Sequence, residues 1–115
     1  MRPGYVPQRG DLLWLSFDPQ AGHEQARRRP AFVLSPGSYN RKTSLLLACP
    51  VTSRVKGYPF EVALPSDLPV SGVILADQIK SLDWKARKAE FVARAHVSVI
   101  DDVLSLVLPL IGEEG

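Results

Sequence analysis

A chain of 115 residues makes one domain around one modest core, and residues 1–115 are read here as a single unit. With 45% hydrophobic and 23% charged residues it falls in the range of ordinary globular domains rather than disordered or fibrous chains. The net charge of +2 conceals an asymmetry: residues 1–89 hold thirteen Lys/Arg against seven Asp/Glu, a net of +6, while residues 90–115 hold Arg94 against five acids. A basic portion set apart from an acidic tail suits a polyanionic partner such as nucleic acid, although from composition alone solvated surface charge is the better account.

In chain order, Met1–Gly4 carries no apolar run behind its charge, so no secretory signal is expected. Six short apolar runs follow, punctuated by Pro and Gly: Asp11–Phe17, Ala31–Ser35, Leu45–Val51, Phe60–Leu64, Gly72–Asp77 and Glu90–Ala93. Each has the length of a strand and turn residues at its edges. Alternation in the first puts Leu13, Leu15 and Phe17 on one face and Leu12 and Trp14 on the other. Trp14, Phe60 and Trp84 are expected in the core. Strands at this spacing predict a small, strongly curved sheet or barrel. Weaker signals place a short helix or turn at Tyr39–Lys42 and another at Pro65–Leu68.

The tail changes period. Val97, Ile100, Val103, Leu104, Val107 and Leu108 follow helical spacing, which predicts one amphipathic helix covering the sheet. Ser98 with Asp101 is expected to cap its start, and Pro109 to end it. The apolar stretch Val97–Ile111 is interrupted by Asp101, Asp102 and Pro109, so no membrane span is expected. The single cysteine, Cys49, excludes an internal disulfide and makes a reducing, cytoplasmic location the default.

Most routes to chemistry are poorly provided for. His23 and His96 are the only histidines and there is no Cys-x-x-Cys, so a metal site is not expected. Cys49 lies within an apolar run, where an inert buried thiol is usual. No glycine-rich phosphate loop is present. The segment Gly22-His23-Glu24-Gln25-Ala26-Arg27-Arg28-Arg29-Pro30 differs. It joins two predicted strands and packs a histidine, a carboxylate, an amide and three guanidinium groups into nine residues. It reads either as a functional loop or as a mobile basic loop that aids solubility.

Gly10-Asp11-Leu12-Leu13-Trp14, Phe17-Asp18-Pro19 and Gly22-His23-Glu24-Gln25 together resemble the N-terminal signature of the MazF/PemK/Kid toxins. The resemblance continues, in order, through Arg29-Pro30-Ala31, Ser35-Pro36, Tyr39-Asn40, Pro50-Val51-Thr52-Ser53, Lys56-Gly57-Tyr58-Pro59-Phe60-Glu61-Val62, Ala76-Asp77-Gln78, Lys80-Ser81 and Trp84-Lys85-Ala86-Arg87. It implies a mainly β fold, an SH3-like, partly open barrel of the CcdB/PemK-like kind with a C-terminal amphipathic helix. It implies a homodimeric toxin of a type II toxin-antitoxin system that cleaves single-stranded mRNA without metal or other cofactor, with a cognate MazE-like antitoxin as second partner. Cleavage would proceed by 2′-hydroxyl attack and leave 2′,3′-cyclic phosphate and 5′-hydroxyl ends. The family pattern places the catalytic arginine at Arg29 and the catalytic hydroxyl at Thr52, with Glu24 in support.

Arginine suits phosphorane charge because its planar fork grips phosphate oxygens in pairs. It scarcely deprotonates, so the base is Glu24 or His23. The expected RNA contacts are Phe17, Gln25, Arg27, Arg28, Asn40, Ser53, Lys56, Asp77 and Gln78. There is one departure: of the His and Arg-x-Asp set assigned catalytic work in the Kid/PemK branch, His23 and Asp77 match, while Leu75 replaces the arginine. Two other classes compete with the nuclease: a non-catalytic CcdB-like toxin, and a nucleic-acid-binding module without chemistry.

Overall fold

The computed structural model describes residues 4–16 and 28–112. The strands are β1 (Asp11–Ser16), β2 (Arg28–Val33), β3 (Leu45–Thr52), β4 (Glu61–Ala63), β5 (Val73–Leu75), β6 (Lys80–Asp83) and β7 (Glu90–Arg94), with helices α1 (Gly37–Thr43) and α2 (Val97–Ile111). The sheet runs β4-β5-β3-β2-β1-β7, with β6 pairing β3, and every pairing is antiparallel. Among the described residues its two ends, β4 and β7, do not pair with each other. The expected partly open arrangement with a C-terminal helix is thus present.

Period-two alternation divides the apolar residues of each long strand between two cores. Leu12, Phe32, Cys49 and Val51 face Val99, Val103 and Val107 of α2, together with Ile74 and Val62. Leu13, Leu15, Ala31, Val33, Leu46 and Ala48 face the other way, onto Leu82, Trp84 and Ala89. Both faces are covered, which is why these strands read as nearly continuous apolar runs.

Five expectations need correction. Strand β2 begins at Arg28, not Ala31, because Ser16, Leu15 and Trp14 of β1 pair with Arg28, Arg29 and Pro30. Strand β6 lay outside the six runs: Lys80-Ser81-Leu82-Asp83 offers one apolar side chain, and its place is set by pairing with Leu45–Ala48. Helix α2 starts at N-cap His96 with no side-chain cap, so Ser98 and Asp101 do not form one; the His96 carbonyl takes Val99 N at 3.0 Å. The same helix passes Pro109 and ends at Ile111, since a proline two residues from the terminus disturbs only the last turn. Finally, Trp14 is 39% exposed rather than core, because its strand face runs past the edge of the α2 layer, whereas Trp84 is buried as expected and Phe60 is half-buried. The Tyr39–Lys42 signal is realised within α1, and Pro65–Leu68 is a turn closed by Leu68 N donating to Pro65 O at 3.3 Å.

One buried polar node joins the elements. Asn40 of α1 is fully buried; its Nδ2 donates to Pro7 O at 2.8 Å and Ser35 O at 3.1 Å, and its Oδ1 accepts from Ser35 Oγ at 2.6 Å. Trp84 Nε1 donates to the Asn40 carbonyl at 2.9 Å, and Leu47 N donates to Ser35 Oγ at 2.8 Å. The expectation that Asn40 contacts RNA is therefore corrected: every polar atom of its side chain is spent inside the fold. Replacing it strands several buried partners, each costing roughly 1–3 kcal/mol. Asn40→Ala is expected to lower unfolding free energy by about 3 kcal/mol, read from the urea midpoint at unchanged slope.

Candidate functional site

The β2–β3 register pairs Val33 with Ala48, Phe32 with Cys49 and Ala31 with Pro50. Carried two residues past its last pair, this register would bring Arg29 opposite Thr52. The ladder itself stops at Ala31 because Pro30 and Pro50 each lack an amide hydrogen. Arg29 is exposed, at the second position of β2. Thr52 is half-buried; its Oγ1 accepts the Arg54 amide at 3.1 Å, which leaves its own hydroxyl hydrogen to donate. Gly72, at φ +118°, lies against the Thr52 backbone, and a Cβ there would collide with the Thr52 carbonyl. This glycine allows β5 to pair at the site: Thr52 pairs with Val73.

Beside Thr52 opens a cavity of about 270 Å³ lined by Thr52, Arg54, Lys56, Tyr58, Glu61, Leu75, Asp77 and Gln78. The loop that walls it is folded by Glu61, whose carboxylate accepts Lys56 N at 3.1 Å and Gly57 N at 3.0 Å. Tyr58 Oη donates to Asp77 Oδ2 at 3.2 Å. Asp77 Oδ1 is buried and has no hydrogen-bond partner among the described residues. The nearby Asp77 charge, then its hydrogen bond, hold the Tyr58 phenol above the ordinary tyrosine value near 10. Burial, reinforced by Asp77, pushes the Cys49 thiol up to about 12, so Cys49 stays a neutral, inert thiol in the core beneath the cavity.

The expected residues divide into four groups. Thr52, Lys56, Asp77 and Gln78 are brought together around one cavity, and Arg29 is an exposed residue of β2 outside its lining. Ser53 is exposed next to Thr52. Arg28 is corrected: its Nη2 donates to Trp14 O at 3.1 Å, Lys88 O at 2.9 Å and Glu90 Oε1 at 3.2 Å, so it ties β2 to the β7 end instead of reaching outward. Phe17, His23, Glu24, Gln25 and Arg27 lie outside the described residues. Sequence reasoning missed Arg54, Tyr58 and Glu61 as site residues. The charge cluster at Arg54 and Lys56 was a signal for the first, and the Gly57-Tyr58-Pro59 turn, which can present an aromatic ring at a loop tip, for the second. Leu75, the departure from the Kid/PemK pattern, forms apolar cavity wall.

The model of the "PemK-like, MazF-like toxin of type II toxin-antitoxin system" family matches residues 8–111. The chain belongs to this family. Over 85 residues it is 58% identical to the endoribonuclease toxin MazF of Escherichia coli K12, covering 74% of this chain and 76% of that protein. The crystal structure of MazF (Form-I) from Deinococcus radiodurans is 59% identical, with a TM-score of 0.85 over 95% of this chain and 99% of that one. MazF in the MazE-MazF (Form-II) crystal structure from the same organism is similar at 52% identity, with a TM-score of 0.84 over 96% and 99% of the two chains. The open antiparallel sheet and C-terminal helix are therefore the MazF fold, and the cavity beside Thr52 is a feature of a MazF-like toxin.

The Tyr58–Asp77 pair gives a spectroscopic check. Removing the carboxylate charge removes the main cause of the raised phenol pKa. In Asp77→Asn, the Tyr58 titration followed by NMR is expected to move down toward the ordinary tyrosine value; an unchanged Tyr58 curve would show that the two groups do not interact in solution.

Proposed function

We propose that this chain is a sequence-specific, metal-independent endoribonuclease that cleaves single-stranded mRNA and so inhibits translation and growth. The observation that carries the reading is the polar cavity lined by Thr52, Arg54, Lys56, Asp77 and Gln78, toward which the β2–β3 register, carried past its last pair, would bring Arg29. The similar Escherichia coli protein is itself named an endoribonuclease toxin. A non-catalytic CcdB-like toxin or a plain nucleic-acid-binding module needs no such approach of guanidinium and hydroxyl.

The reaction is a transesterification within the RNA. The 2′-hydroxyl loses its proton to Glu24 or His23, and its oxygen bonds to the adjacent phosphorus. The bond from phosphorus to the 5′-oxygen breaks, and a proton passes to that oxygen, leaving a 2′,3′-cyclic phosphate and a 5′-hydroxyl. Arg29 holds the growing charge on the phosphorane and polarises the leaving oxygen, in the manner of preorganised donors aimed at developing charge. Thr52 donates its free hydroxyl hydrogen to a non-bridging oxygen. Lys56, Gln78 and the loop residues Phe17, Gln25 and Arg27 contact the RNA strand, with Ser53 beside them. The nucleophile comes from the substrate, so the step needs alignment and charge stabilisation rather than a metal.

Incubated with single-stranded RNA in excess EDTA, the protein is expected to release fragments ending in cyclic phosphate. Arg29→Ala should lower the rate at least about 100-fold and Thr52→Ala about 10-fold or more. Intact RNA would reject the nuclease reading, and undiminished cleavage by both variants would reject the site assignment.

The same reading includes two protein partners in the cytoplasm. A cognate MazE-like antitoxin with an extended acidic segment fits the basic first 89 residues, and a MazE-MazF crystal structure of a similar toxin exists. A second copy of the chain is the other partner. An apolar groove of about 420 Å³ between α1, β3 and α2 exposes Tyr39, Leu47, Leu108 and Ile111, and contiguous apolar surface of this kind is a usual site of association. Light scattering is expected to give twice the chain mass for the parent protein and the single chain mass for Leu108→Glu combined with Ile111→Glu; a monomeric parent would rule the homodimer out.

A further inference from the structure

We propose that the Tyr58–Asp77 pair is a base-reading element, which admits at one position of the bound RNA a nucleobase with an exocyclic amino group and discriminates against uracil. The inference rests on the ribonuclease reading above and deepens it.

The cavity beside Thr52 is divided by chemistry. Arg54 and Lys56 supply positive charge to the lining, suited to phosphate. Tyr58 is exposed, and its ring lies 6.1 Å from Phe60 at 47°, so the loop that carries it holds two aromatic faces close to the mouth. Unpaired RNA bases are commonly held against such faces. Asp77 closes the far side. Its carboxylate is under-supplied: Oδ2 accepts one hydrogen bond, from Tyr58, and Oδ1 is buried with no partner among the described residues. An ionised carboxylate takes donors on both oxygens and offers none. A buried acceptor left without a donor is costly, and rotation about the soft terminal torsion of aspartate can exchange the two oxygens. The missing donor is therefore of the kind a ligand brings.

Adenine, cytosine and guanine each present an amino group to such an acceptor; uracil presents carbonyl oxygens on both sides of its single N–H, and these face a carboxylate unfavourably. Gln78, which can both donate and accept, stands next to Asp77 to satisfy the rest of a base edge. Tyr58 also holds the carboxylate in place by donating its hydroxyl to Oδ2.

The test is end-mapping of cleavage products from a randomised single-stranded RNA, with parent protein, Asp77→Asn and Tyr58→Phe, each checked for an unchanged melting transition. The parent is expected to show uracil depleted at one position near the cut. Asp77→Asn, which keeps the shape but places an amide donor in the site, should raise the relative use of uracil there about tenfold and leave other positions alone. Tyr58→Phe should relax the same position and no other, and it decides the matter if Asp77→Asn does not fold. Cleavage with unchanged base preference in the folded variants overturns this proposal while leaving the ribonuclease reading intact. Loss of antitoxin binding in Asp77→Asn without a change in base preference overturns it too, by assigning the carboxylate to a protein partner. A parent protein that cuts no RNA overturns both readings together.

Discussion

The pairing of β3 with its neighbours is the constraint on which the rest of the molecule depends. This eight-residue strand meets β2 along one edge and, along the other, β6 and then β5. A one-residue slip would exchange the faces of every side chain on it. Cys49 and Val51 would leave the layer under α2, and Leu46 and Ala48 would leave the layer with Trp84. The two cores therefore hold the register from both sides of the sheet. The same strand carries Thr52 at its end, where it pairs Val73 of β5, so the placement of the candidate cavity follows from how the cores are filled.

The functional end is built where that ladder gives out. The β2–β3 pairing ends at Ala31 and Pro50, where Pro30 and Pro50 lack amide hydrogens, and β3 goes on to pair β5 through Val51 and Thr52. Polar side chains collect there because the apolar layers have ended: Thr52, Arg54, Lys56, Asp77 and Gln78 surround an open cavity, while Cys49 on the core side of the same region is kept neutral by burial. Glu61 shapes the cavity wall through two backbone amides, and Gly72 allows β5 to reach Thr52. Rigidity comes from elsewhere. The Asn40 node and the Asp11 carboxylate, which accepts Tyr5 Oη at 2.7 Å, Gln8 N at 3.0 Å and Arg94 Nη1 at 3.1 Å, fasten the N-terminal segment and β7 to the sheet.

Several site residues were misjudged for one shared reason. Asn40 and Arg28 are polar residues inside stretches that match the family's pattern, and polarity alone suggested contact with RNA. Their partners are main-chain carbonyls and side chains as far as 62 positions away in sequence, such as Glu90 for Arg28. Nothing local announces such partners. Trp14 was misplaced in the opposite direction: its alternation with Leu13 and Leu15 correctly gave its face, but how far α2 extends over that face is a property of helix packing. Tyr58 was overlooked because its significance lies in reaching Asp77 across 19 positions.

The amino-acid sequence by itself determined the strand-rich architecture, the two faces of the first strand and the closing helix, because hydrophobic period is a local property that survives without knowledge of neighbours. It also identified the family, through motifs whose order along the chain matched. Only the tertiary structure decided where β6 lies, that Arg29 stands on a strand, which polar residues are consumed internally, and that Tyr58 and Asp77 face one cavity. Those facts depend on register and on pairs distant in sequence, which period and composition do not encode.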